Sequence, residues 1–302
     1  MTARIDAGHD DVPAGSTTLP GPLVDDRWLA SELGTADLLV CDASFYLPGE
    51  GIDPHARFRN AHLPGARFFD IEAFSAHDTS LPHMAPAAAE FARLAAGLGV
   101  GAASRVVFYD QRGLYSAARG WWLLRYFGHD AVAVLDGGLP AWQRAGRPTE
   151  QGEERAPDAV PPGGRFVAHV RPALLRDRAA MLANLGTGRE RMLDARPAPR
   201  FSGAQPEPRP GLRSGHIPGA RNLPLSEVLD AEGRMLAPPA LRQRFAAAGV
   251  GRDDTVVAGC GSGVTATGLL LALAVAGYPD GALYDGSWAE WGAPGDTPVA
   301  AG

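Results

Sequence analysis

Cys260 is the residue whose surroundings in the sequence favour nucleophilic chemistry. Residues 260–265 read Cys-Gly-Ser-Gly-Val-Thr and lie between a buried-strand pattern and an almost wholly apolar helix pattern. Two glycines in four positions allow the backbone to curl so that successive N–H groups point inward and bind an anion. The helix that follows directs its positive end at the same point, and both effects stabilise a thiolate over a thiol. The sequence therefore predicts a reactive Cys260 rather than an inert core cysteine.

The second cysteine, Cys41, lies inside the apolar run from Leu38 to Cys41, so packing accounts for it. Two cysteines are too few for a disulfide framework, and free thiols are typical of a reducing compartment. Neither cysteine has partners at the spacing of metal ligands, so we expect no metal and no organic cofactor.

Four landmarks of the chain occur twice, in the same order and about 150 residues apart. The matching pairs of segments are 42–44 and 194–196, 62–67 and 216–221, 105–110 and 255–260, and 136–142 and 285–291. A fixed period of this kind predicts an internal duplication. In the first copy Asp110 takes the place of Cys260, and a carboxylate cannot act as a sulfur nucleophile. We therefore expect the first copy to be catalytically silent.

The seam between the two copies is expected at 151–164, a stretch rich in proline and glycine that is typical of an exposed linker. This places an N-terminal domain at 17–150 and a C-terminal, catalytic domain at 165–302.

Within each copy, short apolar runs alternate with helical patterns. Buried strands are predicted at Leu38–Val40, Val106–Tyr109, Val132–Leu135, Val256–Ala258 and Ala282–Tyr284. Helices are predicted at Pro86–Leu98, Tyr115–Phe127, Ala240–Ala248 and Val264–Ala276. This alternation predicts an α/β fold in which each copy has a mainly parallel sheet with helices on both faces. Such sheets place their sites beyond the carboxyl ends of the strands, which is where Cys260 lies.

Composition and charge exclude several classes of protein. The chain has 302 residues, of which 45% are hydrophobic and 21% charged, as in soluble globular proteins. A formal net charge of −6 lacks the basic excess expected of a nucleic-acid-binding protein. The first twenty residues show no secretory signal, and the longest apolar run, Leu269 to Ala276, is too short to span a bilayer. We expect a soluble cytoplasmic protein with no nucleic-acid or membrane partner.

The duplication, the His-[Leu/Ile]-Pro-Gly-Ala element in each copy and the single second-copy loop cysteine together resemble the tandem rhodanese-like sulfurtransferases. The resemblance extends from about Pro22 to Pro294 and implies the rhodanese α/β fold for each domain. Residues 260–266 resemble specifically the loop of 3-mercaptopyruvate sulfurtransferases. Thiosulfate sulfurtransferases of the family typically carry Cys-Arg-Lys-Gly-Val-Thr there instead.

The resemblance also implies a substrate-binding stretch over 194–201 and 205–209. Arg200 and Arg209 match the two arginines that bind a carboxylate and a carbonyl in the family, and planar guanidinium groups suit a 2-oxo acid. From the residues alone, a Pro- and Arg-rich surface loop is the alternative. Arg196 follows a strand end and matches Ser44 of the first copy, so we expect a structural role for it.

From the first copy, residues 68–72 and 83–84 resemble the segment that leans over the active-site loop. In several family members an Asp, a His and the loop Ser are proposed to form a relay. His83 and Ser262 match, whereas Glu72 occupies the position of the acid and lengthens that side chain. A polar residue in a Pro-flanked loop is the alternative for His83. The loop residues expected to bind substrate are Gly261, Gly263, Val264 and Thr265.

These residues predict a two-step transfer of sulfur from 3-mercaptopyruvate, through a Cys260 persulfide, to a thiol such as that of thioredoxin or to cyanide. A thiosulfate:cyanide sulfurtransferase is the nearest alternative, but Gly261 and Ser262 supply no cations for a dianion. A Cys-x5-Arg phosphatase is excluded because residue 266 is alanine. A non-catalytic sulfur-carrier or binding module is a third alternative, and the presence of Cys260 weighs against it.

Overall fold

The computed structural model of the chain describes residues 18–156, 161 and 163–302. Its frame consists of two five-stranded sheets in which every strand pairing is parallel. The first sheet contains β1 (Leu23–Val24), β2 (Leu38–Asp42), β3 (Arg67–Phe68), β4 (Arg105–Tyr109) and β5 (Val132–Leu135). The second contains β6 (Leu175–Arg176), β7 (Glu190–Asp194), β8 (Arg221–Asn222), β9 (Thr255–Gly259) and β10 (Ala282–Tyr284). The orders β1-β5-β4-β2-β3 and β6-β10-β9-β7-β8 are equivalent, so the sheets repeat one topology.

Helices cover both faces of these sheets. The first repeat has α1 (Asp26–Glu32), α2 (Pro54–Asn60), α3 (Ala88–Gly97), α4 (Ala117–Tyr126) and α5 (Gly138–Arg144). The second has α6 (Arg178–Thr187), α7 (Ala198–Phe201), α8 (Pro238–Ala247), α9 (Ala266–Ala276) and α10 (Ser287–Trp291). Short 3-10 helices lie at Pro48–Glu50, Pro172–Leu174 and Leu225–Val228. The predicted α/β class, with two mainly parallel sheets covered on both faces, is confirmed.

The central strands are buried on both faces, which explains their continuous apolar sequences. In β4, Val106 and Phe108 belong to the hydrophobic cluster that contains α3 and α4. Val107 and Tyr109 point to the opposite face and belong to the cluster that contains α1, α2 and α5. Alternate residues of one strand thus fill two separate cores, as expected of a parallel sheet.

Helices α4 and α9 join the two repeats, because they pack against each other within one continuous core. Trp121 and Trp122 of α4 and Trp288 and Trp291 of α10 are all buried. Although α9 is almost wholly apolar, no helix in the described part of the chain is long and apolar enough to cross a membrane.

The histidine of the repeated His-[Leu/Ile]-Pro-Gly-Ala element closes each repeat. The backbone of His62 exchanges two hydrogen bonds with Glu150, and its ring stacks on Phe58 with centroids 4.1 Å apart. His216 exchanges the same pair of backbone bonds with Ala300 near the end of the second repeat. The element therefore fixes the last segment of each domain against the loop before its edge strand.

The segment between the repeats packs against the first of them. Within the predicted linker, residues 157–160 and 162 lie outside the described residues, as does residue 17, where the first predicted domain begins. Phe166 packs edge-on against Phe91, and the backbone N–H of His169 donates to the carbonyl of Phe127 at 2.9 Å. The first residues of the predicted second domain, which precede β6, thus contact the first repeat.

Gly120→Ala should lower the free energy of unfolding by about 1–3 kcal/mol, although alanine is the better helix former. The added methyl group would lie 2.6 Å from Cδ1 of the buried Phe108. Gly97→Ala is the matched control, because no atom lies within 4 Å of the position that its Cβ would take. The control should be neutral or stabilise by up to about 1 kcal/mol. Urea unfolding measures both, and equal stability of the two variants would contradict this packing.

Candidate active site

Cys260 directly follows β9 at the carboxyl end of the second sheet and is 4% exposed. Its backbone N–H donates to Oγ of Ser287 at 3.1 Å, and its carbonyl accepts from the N–H of Trp288 at 2.9 Å. The start of α10 therefore fixes the backbone at Cys260. Of the two loop glycines, Gly263 has a φ of +77°, in the left-handed region that favours glycine, whereas Gly261 does not.

The loop leaves a set of backbone N–H groups without acceptors in the described structure. For residues 261–265, no backbone N–H has a hydrogen-bond acceptor among the described residues. These groups precede α9, so its positive end lies at the same point. They can stabilise negative charge on sulfur bound at Cys260.

The corresponding loop of the first repeat shows what such a loop binds. There the buried carboxylate of Asp110 accepts from the backbone N–H groups of Arg112, Tyr115, Ser116 and Ala117, at 2.8 to 2.9 Å. Gly113, the counterpart of Gly263, also has a positive φ, of +112°. The same loop geometry thus binds an anion in the first repeat, and that anion is the side chain at the position of the cysteine.

The first repeat also places a hydrogen-bonded chain of side chains over the loop. Nδ1 of His83 lies 2.8 Å from Oγ of Ser262, and its Nε2 lies 2.9 Å from Oε1 of Glu72. His83 and Ser262 are buried, whereas the Glu72 side chain is 61% exposed. The hydrogen bond from His83 lowers the pKa of Glu72 below its usual value. The structure thus brings the three predicted relay residues together, in the predicted order.

The two predicted substrate arginines lie beside the loop. A Cβ on Gly261 would lie 3.0 Å from Nη2 of Arg200 and 3.9 Å from Nη1 of Arg209. Arg200 is ion-paired with Glu207. Arg209 has no hydrogen-bond or ion-pair partner among the described residues, and burial lowers the pKa of its guanidinium. Arg209 is therefore a cation available to an anionic ligand.

Glu207 explains how Arg200 is fixed, and sequence reasoning assigned it no role. Its buried carboxylate contacts Arg200 on one side and Nη1 of Arg196 at 2.7 Å on the other. Arg196 also pairs with Asp194 at 2.7 Å and lies over the ring of Trp288 at 4.3 Å, which agrees with the structural role expected of it. The only signal in the sequence was the position of Glu207 between the two arginines.

A small cavity of about 30 Å³ adjoins the Cys260 loop, enough for about two water molecules. Both repeats line it, through Phe45, Leu47, Tyr115, Arg200, Pro208, Arg209, Cys260, Gly261, Ser262, Val264 and Thr265. Gly263, also predicted to bind substrate, is not among these residues. Its Cβ position faces the carbonyl of Asp285 at 3.0 Å, so its role is to shape the loop.

The family model of the rhodanese-like domain matches the chain twice, at residues 26–145 and 177–294. The chain belongs to the rhodanese-like family. Both matches fall on the sheets described above, so this is a tandem rhodanese-like protein. The loop cysteine of the second rhodanese-like domain is Cys260.

Curated relatives of this rhodanese-like protein include sulfurtransferases from animals and bacteria. The 3-mercaptopyruvate sulfurtransferases of Rattus norvegicus and Escherichia coli K12 are each 42% identical to it. The first alignment covers 89% of this chain and 91% of the relative, and the second covers 90% and 95%. The crystal structure of SseA from Escherichia coli, described as a 3-mercaptopyruvate sulfotransferase, superposes with a TM-score of 0.79 at 38% identity. That match covers 89% of this chain and 99% of SseA.

Asp110→Ala should lower the free energy of unfolding by about 3 kcal/mol or more, because it leaves four backbone N–H groups, two of them buried, without an acceptor. Asp25→Ala is the matched control, since the exposed Asp25 accepts one N–H, that of Trp28, at the start of α1. Asp25→Ala should lower the free energy of unfolding by about 1 kcal/mol. Calorimetry or urea unfolding measures both. A cost for Asp110→Ala no greater than that of the control would show that the first-repeat loop does not need its anion.

Proposed function

We propose that the protein is a 3-mercaptopyruvate sulfurtransferase that transfers sulfur through a persulfide on Cys260. The observation that carries the proposal is the position of Cys260, at the start of a loop whose N–H groups have no acceptor among the described residues and in a cavity that Arg209 also lines. The curated relatives named for this activity support the same substrate.

The arginines give the donor its orientation. The 2-oxo acid brings a carboxylate and an adjacent carbonyl, and a planar guanidinium binds such oxygens through parallel hydrogen bonds. Arg209 supplies an unpaired cation, and Arg200 is fixed by Glu207. With the oxo acid bound there, its sulfur is directed at Cys260, because both guanidinium groups lie at Gly261, the next residue.

In the first step the Cys260 thiolate attacks the sulfur of the donor. A bond forms between the two sulfurs and the bond between sulfur and C3 breaks, with its electron pair left on the enolate of pyruvate. The arginines stabilise the enolate charge, and a proton delivered to C3 completes the release of pyruvate. Ser262, hydrogen-bonded to His83 and through it to Glu72, is the path we propose for that proton.

In the second step the acceptor removes the outer sulfur of the persulfide, whose charge the loop N–H groups stabilise in the meantime. A thiol such as that of thioredoxin, or cyanide, attacks the outer sulfur, and the Cys260 thiolate leaves. Donor and acceptor thus react in turn at one sulfur atom, which predicts ping-pong kinetics. We place this reaction in the cytoplasm, where reducing conditions keep thiols free.

The first domain carries no sulfur in this scheme, because Asp110 fills its loop with a carboxylate. It contributes instead the residues that complete the site of the second domain, among them His83, Phe45 and Tyr115.

The persulfide should form on Cys260 alone. After treatment with 3-mercaptopyruvate, the intact mass should rise by about one sulfur atom, and Cys260→Ser should abolish both the adduct and turnover. Cys41→Ala is the control and should keep turnover, since Cys41 is fully buried and burial raises the pKa of its thiol far above the usual range. An adduct that survives in Cys260→Ser would overturn the assignment.

Arg200→Lys and Arg209→Lys should each lower kcat/KM for 3-mercaptopyruvate by about 10- to 100-fold. Lysine keeps the charge but loses the planar pair of donors, at a cost of about 1.5–3 kcal/mol for a charge-assisted hydrogen bond. Arg221→Lys, at an exposed arginine of β8, is the control and should leave steady-state kinetics unchanged. Unchanged kcat/KM in both site variants would remove these arginines from substrate binding.

A further inference from the structure

Arg119 of α4 is a fully buried cation that extends from the first repeat into the active-site loop of the second. Its Nη1 donates to Oδ1 of Asp285 at 2.8 Å and also lies 3.4 Å from the carbonyl of Gly263. Its Nη2 donates to the carbonyl of His83. One guanidinium therefore contacts the segment that carries the relay histidine, the active-site loop and an aspartate just before α10.

Arg119 and Asp285 fix the backbone directly after His83. Arg119 binds the carbonyl of His83, and Oδ2 of Asp285 accepts from the N–H of Ala85 at 2.6 Å. His83 itself has a φ of +59°, in the left-handed region that residues other than glycine seldom adopt. Such a conformation costs energy and persists only where its surroundings determine it. The ion pair of Arg119 and Asp285 provides such surroundings for His83.

The arginine exists only on the side of the molecule that has the cysteine. Each repeat places one segment against the aspartate of the other. Beside the loop of Asp110, the N–H of Met235 donates to Oδ1 of Asp136 at 2.8 Å, just as the N–H of Ala85 donates to Asp285. The position corresponding to Arg119 in the second repeat holds Leu269, which is buried in the apolar core. Both sides thus have the aspartate, which on the first-repeat side pairs with the partly exposed Arg234 at 3.8 Å, but only the side with Cys260 has the buried arginine.

We propose that Arg119 is a positioning residue for sulfur transfer, which keeps Nδ1 of His83 against Oγ of Ser262. It touches no substrate atom and acts through the backbone of His83. The inference rests on the proposed function, because His83 and Ser262 move the proton in that scheme. A buried arginine whose Nε has no partner in the described structure is costly to the fold, which fits a residue kept for the site.

Arg119→Lys tests the proposal, because lysine keeps the charge opposite Asp285 but cannot donate from two nitrogens at once. We expect kcat for 3-mercaptopyruvate to fall at least tenfold, while KM stays within about twofold because Arg200 and Arg209 are untouched. Arg105→Lys is the matched control. Arg105 is a buried arginine at the amino end of β4, paired with Glu32 at 2.8 Å, and its variant should lose stability but not kcat. Equal losses of kcat in the two variants would overturn the proposal.

A double-mutant cycle with His83→Asn separates positioning from general structural damage. His83→Asn should lower kcat by about 100-fold, the usual size of a general acid–base contribution. Adding Arg119→Lys to His83→Asn should then change kcat by less than about twofold. Losses that multiply would show that Arg119 does not act through His83 and would overturn the inference.

The imidazole nitrogen spectrum of ¹⁵N-histidine-labelled protein gives a readout that needs no substrate. In the wild type the His83 signals should show one fixed tautomer, and in Arg119→Lys they should move to the averaged positions of a mobile ring. Unchanged His83 signals would overturn the role of Arg119. If the wild-type protein transfers no sulfur from 3-mercaptopyruvate, the proposed function fails, and this spectrum alone decides the role of Arg119.

Discussion

The loop after the central strand of each sheet has several backbone N–H groups that no backbone carbonyl accepts, and these groups need a negative charge to bind. The first repeat supplies that charge permanently, because the carboxylate of Asp110 accepts four of them. The second repeat has Cys260 at the same position, where a thiolate or a persulfide can supply it. This single constraint explains the glycine with positive φ in each loop, and in the proposed reaction it makes the first repeat silent and the second reactive.

The active site depends on both repeats, although the nucleophile comes from one. Residues of the first repeat reach the second-repeat loop through a buried ion pair, Arg119–Asp285, and through the His83–Ser262 hydrogen bond. Buried ion pairs contribute little net stability, and removal of one partner is strongly destabilising. Here the pair instead fixes the backbone that follows His83. The first repeat therefore supplies part of the geometry of the site.

Much of the fold follows from local patterns in the sequence. The central strands β2, β4, β5, β9 and β10 and the long helices α3, α4, α8 and α9 agree with their predicted positions within about two residues. The edge strands β1, β3, β6 and β8 escaped prediction because each has two residues, too few for a pattern. Strand β7 was not predicted either, because its first two residues, Glu190 and Arg191, are charged and leave too short an apolar run.

The site was only partly accessible from the sequence. The setting of Cys260 is local, whereas the contact of His83 with Ser262, 179 positions away, was expected only through the family resemblance. The roles of Glu207, Arg119 and Asp285 arise from burial and pairing between distant segments, so no spacing rule marks them. Both loop glycines favoured a curled backbone in the sequence, but only Gly263 requires one. Gly261 instead leaves room for the arginines beside it.

In the proposed reaction, cations outside the loop select an oxo acid that brings its own carboxylate and carbonyl. The most direct test compares kcat/KM of the wild-type protein for 3-mercaptopyruvate and for thiosulfate, with the same acceptor and buffer. We expect a preference for 3-mercaptopyruvate of at least about tenfold, or 1.4 kcal/mol in transition-state stabilisation. Equal values, or a preference for thiosulfate, would contradict it.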